Sequence, residues 1–577
     1  MVLKRLLLLA LFSTLLLTAC QGVLLTPAAD VDCPLYSQPF PRPEPDYTGK
    51  LTRDFAPFQA ALDAYTPAQA AALDALIRGK TIPELQTRMD SGDLTATDLV
   101  VYYLDRIRRY DVDKLNAVLE LNPAALEIAQ ALDAKRTAGA VRGPMHGIPV
   151  LLKDNIATGD AMHTAAGAAV MLDWEPDRDA FLVAQLRAAG AVILGKANLS
   201  EWANWMGGCV PNGFSANGGQ TRNPYGPYET YGSSSGSAVA VAADLATVSV
   251  GTETQGSIIM PAGINAVVGL KTSLGLVSRD HIIPLLPAQD VPGPMGRTVT
   301  DVAVLLSAMA GVDADDPATV DAAAPAGVDF TRFLQPDAAG GIRVGVPVWT
   351  EALLAEYIDS LAIEDADLLA QLRAIMDANA ATQQALAARL TAAGVTVVPF
   401  PITELPEGIP IVDTLTAGYK AAINAFLADL GDAAPVASLA EIIAFNQADL
   451  ANRAPYGQDL LEASQASDLS GAALESVLAD NRSTARTRID ALFTQYGLDV
   501  VAADLGQLYA PAGYPALTVP AGYAADGTPQ NLVLVGRYLA EPQLLAVGYV
   551  YEQATQARVA PDLDATTAHL EALPGTD

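Results

Sequence analysis

Histidine and cysteine are both scarce in this 577-residue chain, with 4 of the first and 3 of the second. Cys20, Cys33 and Cys209 are too few for a disulfide scaffold or a cysteine-ligated zinc site. His146, His163, His281 and His569 form no His-Glu-x-x-His pair, which excludes that metal motif. No Gly-x-Ser-x-Gly run sits in a strand-turn-helix setting, so a nucleophile elbow served by histidine is excluded as well. His146 lies in a Gly-Pro-Met-His-Gly turn and reads as a structural, hydrogen-bonded histidine, while His569 falls in the tail. Positive charge is also short: 34 Lys and Arg face 65 Asp and Glu, for a net charge of -31. Such a surface repels phosphate backbones, which excludes a nucleic-acid partner. Charged residues make up only 17% against 51% hydrophobic, so charge-driven disorder is ruled out. The length admits several domains, or one large α/β domain with additions.

No apolar run reaches the ~20 residues a bilayer span needs. The longest at the start, Leu6 to Leu17, follows Lys4 and Arg5 and ends in small residues, the pattern of a secretory signal. Leu17-Thr18-Ala19-Cys20 resembles the bacterial lipobox, in which the cysteine is acylated. Residues 1–19 are thus expected to be a lipoprotein-type signal peptide, and the protein to be exported to the cell envelope. The only membrane contact expected is a lipid anchor at Cys20; an ordinary cleaved signal and a secreted product is the alternative. Residues 20–50, with Pro27, Pro34, Pro39, Pro41, Pro43 and Pro45, read as an extended tether. In an oxidising compartment Cys33 and Cys209 are free either to pair or to remain thiols.

Helical spacing runs from about Thr52 to Arg136, with Leu99, Val100, Tyr103, Leu104 and Ile107 on one face after the start signal Thr95-Ala96-Thr97-Asp98. Gly147–Leu152 reads as a buried strand, Phe181–Ala189 as a helix and Ala191–Leu194 as a strand. Strand-like segments return at Asp499–Ala503, Ala516–Pro520 and Leu532–Val535. The pattern predicts an α/β domain over residues 51–577, built from both ends of the chain, with a helical insertion or cap over about 350–495.

Lys153 ends the apolar strand. A lysine there ordinarily snorkels to solvent, but burial would lower its pKa and make a neutral general base of it. Two Ser/Gly-rich turns follow, Tyr231-Gly232-Ser233-Ser234-Ser235-Gly236-Ser237 and Gly251-Thr252-Glu253-Thr254-Gln255-Gly256-Ser257. Glycine in such turns lets backbone N–H groups converge on a developing oxyanion.

With these stand Gly143-Pro144-Met145-His146-Gly147-Ile148-Pro149-Val150-Leu151-Leu152-Lys153-Asp154-Asn155 and Gly195-Lys196-Ala197-Asn198-Leu199-Ser200-Glu201-Trp202. Thr221–Tyr225, Val268–Thr272, Asp290–Met295 and Gly513–Pro520 complete the set. Over roughly residues 80–560 the chain resembles the amidase signature family, and the form of its second turn looks most like the bacterial peptide amidases. The resemblance implies one large domain: a mixed, mostly parallel, twisted central sheet covered by helices on both faces. It implies Ser257 as nucleophile, Ser233 as bridging serine after a cis Gly232–Ser233 bond, and Lys153 as base. Ser234 would bond near Lys153, and the N–H groups of Thr254, Gln255, Gly256 and Ser257 would hold the oxyanion. Beside this, the position of Trp202 and Asn204 just after Glu201 leaves two readings open, lining of the substrate pocket or plain packing. No metal or organic cofactor is implied, and the expected partner is a small amide or peptide amide bound by a monomer. The wider family carries Asp and a following Arg in the second turn, whereas Glu253 and Ile259 stand here and cannot form that ion pair. The function implied is release of ammonia from C-terminal peptide amides. Broad aliphatic or aryl-amide hydrolysis, or binding without turnover on the same fold, remain as alternatives.

Overall fold

The computed structural model describes residues 47–322, 327–363 and 365–571. The expected signal peptide and most of the tether, with Cys20 and Cys33, lie outside these residues. Where the tether ends, the Tyr47 ring lies 5.7 Å from that of Phe214, and Thr48 N–H and Oγ1 donate to Asn452 Oδ1 at 2.9 and 3.0 Å. Cys209 is disulfide-bonded, and the open question of its pairing with Cys33 falls on a residue outside the described ones.

The predicted helix start at Thr95 is a reciprocal cap. Thr95 Oγ1 accepts from Asp98 N–H at 2.9 Å while the Asp98 carboxylate accepts from Thr95 N–H at 3.0 Å. The helix Ala96–Arg106 then buries Leu99, Val100, Tyr103 and Leu104. His146 is buried with its Nε2 3.1 Å from Leu132 O, in agreement with a structural role.

Thirteen strands occur among the described residues. The first seven are β1 (Val118–Leu121), β2 (Pro149–Lys153), β3 (Val192–Ala197), β4 (Phe214–Ser215), β5 (Gly219–Gln220), β6 (Val248–Glu253) and β7 (Val268–Lys271). They continue as β8 (Val291–Gly296), β9 (Arg343–Val348), β10 (Thr396–Pro401), β11 (Val500–Val501), β12 (Ala516–Tyr523) and β13 (Pro529–Gly536). β4 and β5 pair only with each other; the rest form one sheet in the order β1-β3-β2-β6-β8-β7-β12-β13-β11-β9-β10. The sheet is mixed, as expected. Its parallel pairs form two blocks, β3-β2-β6 and β11-β9-β10. The strands between them, and β1 at one edge, pair antiparallel. β2 lies inside a parallel block and is buried along its whole length, as a strand covered on both faces must be.

Both ends of the chain do build the sheet, since β11, β12 and β13 come from the C-terminal region. Two strands, β1 and β10, stand where spacing predicted helix or insertion, and β9 stands just ahead of the expected insertion, where no element was predicted. β10 reads Thr-Val-Val-Pro-Phe-Pro, and its two prolines are tolerated because it is an edge strand with no outer neighbour to hydrogen-bond. The helix Ala366–Ala392 is the crossover that parallel β9 and β10 require, so this part of the expected insertion belongs to the core. The added helices are Val412–Leu430, Leu439–Gln447, Asp459–Ala466 and Gly471–Tyr496, with two short helical turns between them, Gly431–Ala433 and Leu450–Arg453. They cover one face of the sheet. Val533 and Val535 of β13 join Tyr419, Ile423, Ile489 and Phe493 in one apolar cluster, while Leu532 and Leu534 enter the other. That two-residue alternation is the pleat of the strand.

Candidate active site

Parallel pairing sets Leu152 of β2 beside Val250 of β6, so the next residue, Lys153, arrives at the turn that follows β6. The site thus forms at the carboxyl ends of two parallel strands, where α/β sheets place their ligands. The Lys153 side chain is fully buried, and its Nζ donates to Ser233 Oγ at 2.6 Å and to Thr252 O at 3.1 Å. Burial pushes its pKa from 10.5 down to about 7, a fall that the carboxylates of Asp290 and Glu253 partly oppose. The expected snorkelling to solvent does not occur.

Ser233 follows a cis bond from Gly232, as expected. A side chain at Gly232 would put its Cβ 2.1 Å from Ser200 Oγ, so only glycine fits there. The adjacent Ser234 Oγ donates to Thr252 O at 3.0 Å, the same carbonyl that holds Lys153. Its backbone N–H donates to Ser257 O at 3.2 Å, which ties the first turn to the second. Ser257 is 7% exposed, and its hydroxyl makes no hydrogen bond within the described residues. Lys153 and Ser233 are therefore joined directly, and Ser257 is joined to them through the backbone of Ser234.

Glu253 organises the second turn. Its carboxylate accepts from the N–H groups of Gly256 at 2.7 Å, Ile258 at 2.8 Å and Ile259 at 3.0 Å. The ion pair of the wider family is replaced by a carboxylate on three backbone donors, one of them from Ile259 itself. Gly256, at φ +76°, takes the left-handed conformation that glycine allows. Its N–H is committed to Glu253, which removes it from the expected oxyanion donors. The N–H groups of Thr254, Gln255 and Ser257 have no acceptor within the described residues and remain available.

For Trp202 and Asn204 the structure decides between pocket and packing. Trp202, Ala203 and Asn204 have φ values of 52°, 57° and 73°, a left-handed turn that swings the Trp202 ring into the apolar cluster, where it is 1% exposed. Asn204 donates its N–H to Ser200 O at 3.1 Å. Neither lines the cavity beside the site; Ala203 between them does. That cavity has a volume of about 420 Å³, with Asn155, Thr252, Thr254 and Asp290 on the catalytic side and Ala425 and Phe426 on the added helix Val412–Leu430. Two of its residues had no role assigned by sequence. Asp290 accepts from Thr254 Oγ1 at 2.5 Å and from the N–H groups of Leu285 and Leu286 at 2.9 Å. Asn155 Nδ2 donates to Thr252 Oγ1 at 3.1 Å and Ile283 O at 3.2 Å. Their places in the Asp290–Met295 and Lys-Asp-Asn segments were the available signal.

The amidase family profile matches residues 98–512. The chain belongs to the amidase family. This amidase is similar to a solved amidase family protein of Bacillus anthracis str. Ames, at 37% identity and a TM-score of 0.79, covering 90% of this chain and 99% of that one. It is also similar to the native peptide amidase of Stenotrophomonas maltophilia, at 40% identity and a TM-score of 0.73, covering 84% of this chain and 99% of that one. Among sequences, an Arabidopsis thaliana protein whose name assigns it to the amidases is 37% identical over 495 residues, 84% of this chain and 92% of its own.

Proposed function

We propose that this amidase releases ammonia from the C-terminal carboxamide of peptides through an acyl-enzyme on Ser257, and that it acts outside the cytoplasm on a lipid anchor at Cys20. The observation that carries the catalytic reading is a fully buried amine, titrating near 7, within 2.6 Å of a serine hydroxyl. At neutral pH about half of such amines are uncharged, whereas a lysine in water is almost wholly protonated.

Neutral Lys153 accepts the proton of Ser233 as Ser233 accepts that of Ser257, and Ser257 Oγ bonds to the carboxamide carbon. The carbonyl oxygen takes up the negative charge, which the free N–H groups of Thr254, Gln255 and Ser257 are available to stabilise. The proton returns through Ser233 to the amide nitrogen, the C–N bond breaks and ammonia leaves. Water then attacks the ester by the reverse relay and the free carboxylic acid departs. The likeness to the Stenotrophomonas maltophilia peptide amidase supports the substrate class. The signal-like start, the lipobox-like Leu17–Cys20 and the disulfide at Cys209 support export to an oxidising compartment.

The test is ammonia release from matched peptide amides, peptide acids and anilides, with trapping of the Ser257 ester by mass spectrometry. Ammonia from the peptide amides together with an adduct mapped to Ser257 is the expected result. Turnover of anilides alone, or an adduct elsewhere, overturns it. Labelling of the mature N-terminus with radioactive palmitate tests the anchor, and loss of label in Cys20→Ala is expected.

A further inference from the structure

The cavity beside the catalytic residues has a floor and a mouth of different chemistry. At the floor lie Thr252 and Asn155, 7% and 3% exposed. Asn155 is held there through Nδ2, which donates to the Ile283 carbonyl, and its carboxamide oxygen is buried away from the cavity. The walls are apolar, from Ile282, Ile283, Leu285 and Phe426. At the mouth stand two exposed carboxylates on separate elements, Asp315 and Asp429, the latter on the added helix Val412–Leu430.

The cations near this mouth are already engaged. Arg279 bonds Asp316 and Pro287 O, and Arg178 bonds both oxygens of Asp280. His281 lies with its Nδ1 3.4 Å from Asp280. Asp315 and Asp429 make no ion pair or side-chain hydrogen bond within the described residues. The mouth therefore carries net negative charge above an apolar trough, with Asp429 unpaired among the described residues and Asp315 sharing the field of Arg178 with Asp280, on a chain whose net charge is -31. A low-dielectric trough under charges of one sign concentrates counter-charged ligands. The volume of about 420 Å³ suits an acyl group of a few residues.

We propose that this cavity selects acyl groups that are apolar next to the scissile carboxamide and positively charged at the far end, with Asp315 and Asp429 as the specificity-determining residues. The inference rests on the peptide-amide reading above and names its substrate class: peptide amides with a basic residue distal to the carboxamide.

The experiment compares N-acetylated tripeptide amides that differ only in the residue farthest from the carboxamide: Lys, Gln or Glu. In the wild type, kcat/KM is expected to fall in the order Lys, Gln, Glu, with a Lys-to-Gln ratio of about fivefold, the effect of two solvent-screened charge pairs. The difference is expected in KM rather than kcat, and to shrink in high salt. In the double variant Asp315→Asn/Asp429→Asn the Lys-to-Gln ratio is expected to approach one. A flat series in the wild type, or a ratio that survives in the double variant, overturns the proposal. Ammonia from the Gln peptide with a flat series defeats only the charge selection. No ammonia from any of the three peptides defeats the peptide-amide reading and this proposal together.

Discussion

Replacing Lys153 by methionine separates the two consequences of holding an amine in a dry site. The native amine titrates at about 7 against 10.5 for a lysine in water. At about 1.4 kcal/mol per pH unit, the fold disfavours the charged form by about 5 kcal/mol. The unfolded chain therefore binds a proton that the folded chain does not, throughout the window from about 7 to 10.5. Native stability is complete above the upper value and is lost as pH falls through the window, because unfolding then takes up a proton. Lys153→Met has no such proton to bind. Relative to the variant, the wild type should lose about 2 kcal/mol between about pH 9 and about pH 7, the slope halving where the native amine itself takes up its proton. Urea unfolding of both proteins at several pH values measures this, read as the change in their stability difference. The rate should move the same way as the wild-type stability difference, both rising with pH. Wild-type kcat/KM should rise with pH along a single-proton limb centred near 7, and Lys153→Met should lose about 10²–10⁴-fold at every pH. A stability difference independent of pH, together with a flat wild-type rate, would refute a buried amine acting as base.

Ser257→Ala removes a hydroxyl that makes no internal hydrogen bond, so stability should stay within about 0.5 kcal/mol while turnover falls by at least about 10⁴-fold, checked by urea midpoint and ammonia release. Glu253→Ala strips three backbone donors of their acceptor and should cost about 3 kcal/mol and most of kcat, whereas Glu253→Gln, which keeps one acceptor oxygen, should lose less of each; thermal melts and kinetics compare the two. Gly232→Ala brings a methyl to 2.1 Å from Ser200 Oγ and should destabilise by about 1–3 kcal/mol while lowering kcat, and Ser200→Gly in the same background should restore part of both.

Much of this site was legible because its chemistry is local in sequence. Lys153 stands out against its apolar strand, and the two Ser/Gly turns announce converging N–H groups. The β12 and β13 segments read correctly because their β-branched and aliphatic residues leave no helical alternative. What escaped depends on partners far along the chain. β10 hides behind two prolines that are acceptable only at a sheet edge, and edge position is a tertiary fact. The loss of the ion pair at Glu253 was legible, but what the carboxylate does instead was not, since no spacing rule says that it can take up three N–H groups of the loop it begins. The same carboxylate takes Gly256 out of the oxyanion donors. The position of Trp202 just after Glu201 left pocket and packing both open, and three successive left-handed residues decide it by sending the ring into the core.

One wall of the cavity comes from a stretch of the chain separate from the proposed catalytic residues. Ala422, Ala425, Phe426 and Asp429 belong to one added helix, while Lys153, Ser233 and Ser257 sit on the sheet and its turns. Exchange of the 412–496 helices between relatives would redraw which molecules enter without disturbing the bond-breaking groups. Descent with a fixed engine and a replaceable gatehouse is then open to this scaffold, and grafted chimeras offer a direct route to new amide preferences.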